Sequence, residues 1–296
     1  MISRTLRHFL ATFERKNVTA AADDLNITQP ALTRSLKMLE EELGVQLFDR
    51  LPNGLVPTPY GELLYRYAKR IHQDYRHALL EIDAMRGGNA GQVRIGAGPV
   101  WISHFLPIAV SRFNKRYPAV RFSIVQGTIT TMLPALLAGE IDFFCGSLDF
   151  PDHPQVESVR LLPIRHVIVA GKSHPLGGRE GVTADDLAAF PWTSLAHDVV
   201  GRGQISAFFG AEGVDPPRIM LETPSVACAV AAMVHGEFIA CLAEPLLDSI
   251  LGRDLVPLAV ARPIWDYSAG IARRSPIRTS LAIDRFVAEL QAMFEQ

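Results

Sequence analysis

With 296 residues, 48% of them hydrophobic and 20% charged, the chain is long enough for two or three compact units and too apolar to stay disordered. A formal net charge of −2 excludes a general polycation, so any nucleic-acid contact has to come from a local surface. Three scattered cysteines, Cys145, Cys228 and Cys241, exclude a disulfide framework and a cysteine-built zinc site. Met1-Ile2-Ser3-Arg4 runs straight into an amphipathic pattern, unlike a signal peptide. The apolar runs 227–234 and 239–242 are split by His235, Gly236 and Glu237, short of the ~20 residues of a membrane span. The expectation is a soluble, cytoplasmic protein with no membrane contact, no metal and no cofactor.

Short helices fill the first 58 residues. Leu6, Phe9, Leu10 and Phe13 recur at helical spacing behind Ser3 as a cap. A second helix is expected over 20–25 with Thr19 as its cap, then a turn at Asn26-Ile27. Thr28 can cap a third, with Pro30 in its first turn and Gly44 as terminator after Leu43. Two apolar stretches around Pro52-Asn53-Gly54 then predict a small hairpin.

From Thr58 and Pro59 a long helix should run to residue 86, ended by Gly87-Gly88. Leu64, Tyr67, Ile71, Tyr75, Ala78, Ile82 and Met85 alternate steps of three and four, a coiled-coil seam. A lone rod of about 40 Å with one apolar stripe calls for a second copy. Beyond Gly91 the texture becomes strand–helix alternation. Strands are expected over 93–96, 120–126, 141–146, 167–170, 218–222 and 238–242, and helices over 101–116, 131–138, 204–211, 225–235 and 279–294. That order implies parallel sheet covered by helices on both faces.

The third helix carries the sharpest chemistry. Leu32, Leu36, Leu39 and Leu43 are expected to form its buried stripe, and Gln29, Pro30, Thr33, Arg34 and Lys37 lie on the other face. Arg can donate two hydrogen bonds to guanine, Gln can pair with adenine, and Thr can meet a thymine methyl or a phosphate. Glu40, Glu41 and Glu42 would repel phosphate, so only the N-terminal half should enter a groove. Periodicity alone is equally compatible with a solvated face.

Ala20-Ala21-Ala22, Gln29-Pro30-Ala31-Leu32-Thr33-Arg34-Ser35-Leu36 and Leu39-Glu40-Glu41-Glu42-Leu43-Gly44-Val45-Gln46-Leu47-Phe48-Asp49-Arg50 together closely resemble the LysR-type transcriptional regulators. Pro57-Thr58-Pro59-Tyr60-Gly61 is similar to that family's sequence at the start of its linker helix. The likeness is dense over 5–61 and looser beyond. It implies an α+β multidomain chain: a winged helix-turn-helix over 1–58, a dimerising linker helix over 59–88, and a two-lobed, periplasmic-binding-protein-like effector domain over 89–296. Lobe one is expected at 91–165 and 267–296, and lobe two at 166–266.

The resemblance implies double-stranded operator DNA, a small organic effector and a second copy of the chain as partners, as a homodimer or homotetramer. RNA polymerase is a further candidate. Thr28, Gln29, Pro30, Thr33, Arg34, Lys37, Arg50 and Asn53 are the expected DNA contacts.

Effectors of open α/β sheets sit beyond strand ends, beside helix N-termini. The turns in question are Gly98-Pro99-Val100-Trp101, Gly127-Thr128 and Gly146-Ser147, faced from lobe two by Ala196-His197-Asp198, Arg202 and Ser225. Pro99, Val100, Trp101, Thr128, Ser147, His197, Arg202 and Ser225 are therefore the expected effector contacts. The resemblance places a ligand hydroxyl partner at Thr128. Val100 departs from the family's usual Ser or Thr, and Ser147 stands where some carboxylate-sensing members carry Arg.

Each has a plainer reading: Trp101 as core, Thr128 as a helix cap, Arg202 in a surface ion pair. His197-Asp198 could suggest a catalytic pair, but no Gly-x-Ser-x-Gly accompanies it. Gly96-Ala97-Gly98 lacks the third glycine of a dinucleotide loop, because residue 101 is Trp. Cys228 and Cys241 do not have a sensor's spacing. A solute receptor or an α/β enzyme would have no use for Gln29, Thr33, Arg34 and Lys37 ahead of a hairpin, and a constitutive architectural DNA binder would have none for ~200 residues of sensor. The sequence reads as an effector-responsive DNA-binding regulator, not an enzyme.

Overall fold

The computed structural model describes residues 4–51, 54–85, 91–196, 198–275 and 280–295. The chain forms two compact units, Met1–Gly91 with Leu137–Glu140, and Gln92–Leu136 with Ile141–Gln296.

In the first unit, α1 (Arg4–Arg15), α2 (Val18–Asp24) and α3 (Gln29–Leu43) precede a hairpin of β1 (Phe48–Leu51) and β2 (Gly54–Pro57), and α4 (Pro59–Met85) follows. Phe9, Ala21, Leu32, Leu36 and Phe48 close the core of this head. The cap of α2 is Asn17, whose side chain accepts from the Ala20 amide, and not Thr19. Asn26 takes a left-handed φ of 53° in the α2–α3 turn, which a short polar side chain tolerates. Thr28 has extended cap geometry but makes no side-chain cap bond, since Pro30 removes one of the two amides it could accept from. Gly44, at φ 71°, ends α3 with its amide on the Glu40 carbonyl at 2.8 Å.

Thr58 starts α4 from both sides. Its hydroxyl accepts from the Gly61 amide at 3.1 Å and donates to the Gln46 carbonyl at 2.7 Å. Gly61 presses against the Leu47 carbonyl where a Cβ has no room. The motif Thr58-Pro59-Tyr60-Gly61 is thus a tight splice between hairpin and helix.

The second unit begins with β3 (Gly91–Ala97), a π-helical turn (Trp101–Phe105), α5 (Leu106–Arg116), β4 (Val120–Gln126), α6 (Ile129–Ala138) and β5 (Phe143–Ser147). The long β6 (Val156–Gly171) crosses to α7 (Ala184–Ala188), β7 (Trp192–Leu195), α8 (Val199–Ala211), β8 (Ile219–Thr223), α9 (Val226–His235) and β9 (Ile239–Ala243). Two short 3-10 turns (Glu244–Asp248, Ile250–Gly252) lead to β10 (Leu255–Pro257), and β11 (Trp265–Arg274) crosses back to α10 (Leu281–Ala292). The strand order is β4-β3-β5-β11-β6-β9-β7-β8, with β10 on β6.

Pairing is parallel inside each lobe, β3 with β5 and β7 with β8 and β9, as the alternation predicts. It is antiparallel where β6 and β11 pair with each other and with their neighbours. Those two strands join the lobes, so the parallel pairing implied by the alternation holds inside each lobe and the sheet as a whole is mixed. The expected strand at 167–170 is the far end of β6, and β11 was not anticipated. Lobe one packs around Trp101, Phe113, Phe143 and Phe286. Lobe two packs around Trp192 and Phe209 on one face and around Val226 and Met233 on the other.

At the crossing, His166 of β6 lies flat on Trp265 of β11, ring centroids 3.8 Å apart and planes 10° from parallel. Its buried Nδ1 has no hydrogen-bond partner. Burial pushes the imidazole from its ordinary 6.5 down to about 3. The unfolded chain therefore takes up a proton near pH 6.5 that the folded one refuses until about pH 3. The stability of the neutral ring is fully present above pH 6.5 and lost as pH falls toward 3. His8 and His174 are lowered in the same direction, chiefly by burial. His166→Phe, which keeps the stack, should flatten the fall in melting temperature between about pH 7.5 and 5 without abolishing it. An unchanged pH slope by calorimetry would mean that His166 titrates freely in the folded protein.

Candidate functional site

The exposed face of α3 presents Gln29, Pro30, Arg34 and Lys37, with Thr33 half-buried, while Leu32, Leu36 and Leu39 are buried and Leu43, expected with them, is exposed at the helix end before Gly44. Gln29 Nε2 donates to Thr33 Oγ1 at 3.3 Å, and Lys37 reaches Glu41 at 3.5 Å with both side chains mostly exposed. Such contacts contribute little and yield easily to a ligand. Thr28 is exposed at the helix start. Arg50 stands in β1 opposite Leu55, and Asn53 lies outside the described residues.

Two supports of this helix were not anticipated. Glu40 turns its carboxylate onto the Leu47 and Phe48 amides at 2.8 and 3.4 Å, so one of the three expected phosphate-repelling acids anchors the hairpin to α3. His8 Nδ1 meets Ser35 Oγ at 2.8 Å and ties α1 to the same helix.

Along α4, Tyr67, Ile71 and Ile82 of the expected seam are exposed, as are Tyr60, Leu63 and Leu79. Leu64 departs from the seam and packs on the head core. Its neighbour Tyr65 stacks on Phe13 at 3.9 Å.

In the second unit a cavity of about 330 Å³ opens between the lobes. Lobe one lines it with Ile102, Ser103 and Gln126, and lobe two with Pro224, Ser225, Val226, Ala227 and Leu251. Gln126 Nε2 donates to the Pro224 carbonyl at 2.8 Å, a hydrogen bond from one lobe to the other. Of the expected effector contacts, Ser225 lines this cavity. Its Oγ also accepts from the Cys228 amide as the α9 cap.

The strand-end turns are closed by bonds within the protein. Gly98 N donates to the Cys145 carbonyl at 2.8 Å, Gly127 N to the Ala97 carbonyl at 3.0 Å, and Thr128 N to Thr131 Oγ1 at 3.1 Å. Half-buried Thr128 has its hydroxyl on Thr130 Oγ1 at 2.9 Å, and Ser147 Oγ accepts from the Asp149 amide at 3.2 Å. Asp198 caps α8, accepting from the Gly201 amide at 2.9 Å, and Arg202 pairs with Glu222 at 2.9 Å. His197 lies outside the described residues. Burial raises the Cys145 and Cys241 thiols, with the Asp198 charge adding to the latter, which disfavours the reactive thiolate. Among the described residues no cluster of His, Cys, Asp and Glu is placed to hold a metal, and no helix is long and apolar enough to cross a membrane.

Two family models match nearly the whole chain: the bacterial regulatory helix-turn-helix of the lysR family over residues 3–62, and the LysR substrate binding domain over 86–295. The chain belongs to the LysR family. The HTH-type transcriptional regulator GbpR of Rhizobium radiobacter is 30% identical over 251 residues, 84% of this chain and 83% of that protein. The SDS degradation transcriptional activation protein of a Pseudomonas species is 35% identical over 191 residues, 64% of this chain, which spans 62% of that protein's length. Full-length CbnR complexed with its target DNA shares the fold at a TM-score of 0.70 and 24% identity over 99% of both chains. This LysR-family protein is a DNA-binding transcription regulator with a substrate-binding domain, and the family's members are regulators, not enzymes.

Val100 and Trp101, expected to meet the effector through the backbone of their turn, bury their side chains in the core. Val100 is 3% exposed and Trp101 0%. The π-helical turn rotates Trp101 inward against Phe105 and Phe294, at 5.1 and 5.7 Å between ring centroids, while the following Ile102 and Ser103 face the cavity. Helix periodicity across that turn mispredicts which side chains look outward, and this is why Ile102 and Ser103 were missed. Trp101→Ala should cost about 3–5 kcal/mol of effector-domain stability, as for a buried large aromatic. Denaturant unfolding that differed from wild type by less than about 1 kcal/mol would contradict the core assignment.

Proposed function

We propose that this regulator reads its operator with the N-terminal half of α3, pairs with a second copy through α4, and responds to a small effector held between the lobes of its substrate-binding domain. The observation that carries the DNA reading is the division of α3 into a buried leucine face and an exposed face of Gln29, Pro30, Arg34 and Lys37. Arg34 and Gln29 supply base-reading geometry, and Thr28, Thr33 and Lys37 supply phosphate contacts. Arg50 of β1, and Asn53 three residues later in sequence, are proposed to contact the flanking DNA backbone. The acids at Glu41 and Glu42 confine the groove contact to the first turns. As a DNA-bound regulator it acts where the chromosome is, in the cytoplasm, with RNA polymerase as the partner through which a promoter response would be expressed.

For the effector, the observation that supports the cleft is the cavity lined from both lobes and bridged by Gln126 and Pro224. Ser225 is the lobe-two contact, joined by Ile102, Ser103 and Gln126 from lobe one. Pro99, Thr128 and Ser147 shape its approach, with Val100 and Trp101 acting through backbone position alone. Arg202, paired with Glu222, and His197 are proposed as the further lobe-two contacts.

Arg34→Ala and Gln29→Ala should each lose about 1–3 kcal/mol of preference for the cognate operator, while Lys37→Ala weakens cognate and random DNA alike. Unchanged specific affinity for both Arg34→Ala and Gln29→Ala in gel shifts at fixed salt would sink the placement of the reading face. Ile71→Asp, which puts an unpaired charge on the exposed stripe of α4, should dissociate the oligomer. Normal sedimentation of that variant would rule out α4 as the pairing surface.

A further inference from the structure

The cavity lining specifies more than a location. We propose that the effector is a compact neutral alcohol or phenol, with an apolar body and a hydroxyl that donates to Gln126. This rests on the reading that the inter-lobe cavity is the effector site.

The charge argument comes first. None of the eight described residues lining the cavity carries an ionisable side chain. A charged ligand seated on such a lining loses part of its hydration with no counter-charge from these side chains in return, which is costly. Several of the usual substitutes for a counter-charge are engaged elsewhere. The Arg202 guanidinium is on Glu222. At the α9 N-terminus Ser225 Oγ takes the Cys228 amide, and at the α8 N-terminus the Asp198 carboxylate already supplies the negative charge a helix start favours. The Gly98, Gly127 and Thr128 amides, the strand-end donors that hold anions in open α/β sheets, all donate within the protein.

The polar groups that remain define the other half. Gln126 gives one Nε2 hydrogen to the Pro224 carbonyl, which leaves its second N–H and the acceptor Oε1, and a ligand hydroxyl can donate to the latter. Ser103 adds one hydroxyl, and Ser225 Oγ already accepts from Cys228 N. Against these few polar groups stand Ile102, Pro224, Val226, Ala227 and Leu251. A sugar brings more hydroxyls than this lining can satisfy, and each one left unmatched counts against binding. About 330 Å³ is at the small end of ligand pockets, which selects a compact molecule.

The test uses full-length protein and three probes of closely similar shape that differ in charge: benzyl alcohol, benzoate and benzylamine. Thermal shift and calorimetry are run at up to about 10 mM, since stabilisation follows ligand concentration over Kd. Benzyl alcohol should raise the melting temperature and bind at least about tenfold tighter than either charged analogue. Ala227→Trp, at an exposed position that tolerates a larger side chain, should fill the cavity and abolish that binding. Gln126→Leu should weaken benzyl alcohol several-fold more than toluene, since both lose the lobe–lobe bond to Pro224 but only the alcohol loses a hydrogen bond of its own.

Benzoate or benzylamine binding as tightly as the alcohol, and lost in Ala227→Trp, would overturn the neutral class while keeping the cavity as the site. Binding of any probe that survives in Ala227→Trp would overturn the cavity itself. Absence of a shift with benzyl alcohol would overturn the alcohol proposal.

Discussion

The antiparallel ladder of β6 and β11 is the constraint on which the sensor depends. These two strands pair from Trp265 opposite His166 to Arg274 opposite Val156, and each also pairs with a strand of one lobe. A cavity between lobes persists only if the lobes are held at a fixed spacing, and a hydrogen-bonded two-strand bridge provides that while allowing twist. The register slips at Ala269/Gly270, where Gly270 lies so close to the Val159 carbonyl that a Cβ has no room. A bulge increases local twist, so the irregularity falls where the bridge must turn from one lobe's sheet to the other's. The flat stack of His166 on Trp265 closes the second half of the same bridge. Its cost is a buried ring nitrogen without a partner, offset by keeping the imidazole neutral.

The DNA-binding head follows a different rule, in which a few polar side chains fix the angles between short helices. Glu40 holds the hairpin amides, His8 holds Ser35, and Thr58 joins the hairpin to α4. All three act at the edge of a small core built from Phe9, Leu32 and Phe48. A core of that size cannot fix orientation by packing alone, and side-chain to backbone bonds supply the directional terms. The exposed face of α3 that carries Gln29 and Lys37 therefore stays free of structural duty except for the weak Gln29–Thr33 and Lys37–Glu41 contacts.

Local chemistry explains which parts were legible in the sequence. Helices with a clear stripe and a terminator, such as α3 ending at Gly44, were readable from residues alone, and β4 over 120–126 needed only its apolar run before Gly127. The first half of β6 and all of β11 were not. Pro163 interrupts β6, and Ser268-Ala269-Gly270 gives β11 a run of small residues without alternation. Their strand character comes from pairing with each other, which no local window contains. The cavity was half legible. Ser225 announced itself as a strand-end cap, but Ile102, Ser103 and Gln126 depend on the rotation of a π-helical turn and on the approach of a second lobe. Trp101 shows the same effect in reverse: its position in the turn was right and its direction was inward.

The Gln126–Pro224 bond bears on how a ligand could alter the sensor at all. It belongs to one arrangement of the lobes and breaks if they separate. As a neutral, exposed hydrogen bond it contributes about 0.5–1.5 kcal/mol, enough to bias the lobes but not to lock them. A ligand can shift that balance only by its difference in affinity for the two arrangements. One that contacts Ser103 on one lobe and Val226 on the other, while leaving the Gln126 amide in place, adds its energy to the closed form alone. One that takes the Gln126 N–H for itself subtracts the lobe–lobe bond from its own gain. The side of the Gln126 amide that the ligand engages therefore decides whether binding tightens or loosens the lobes.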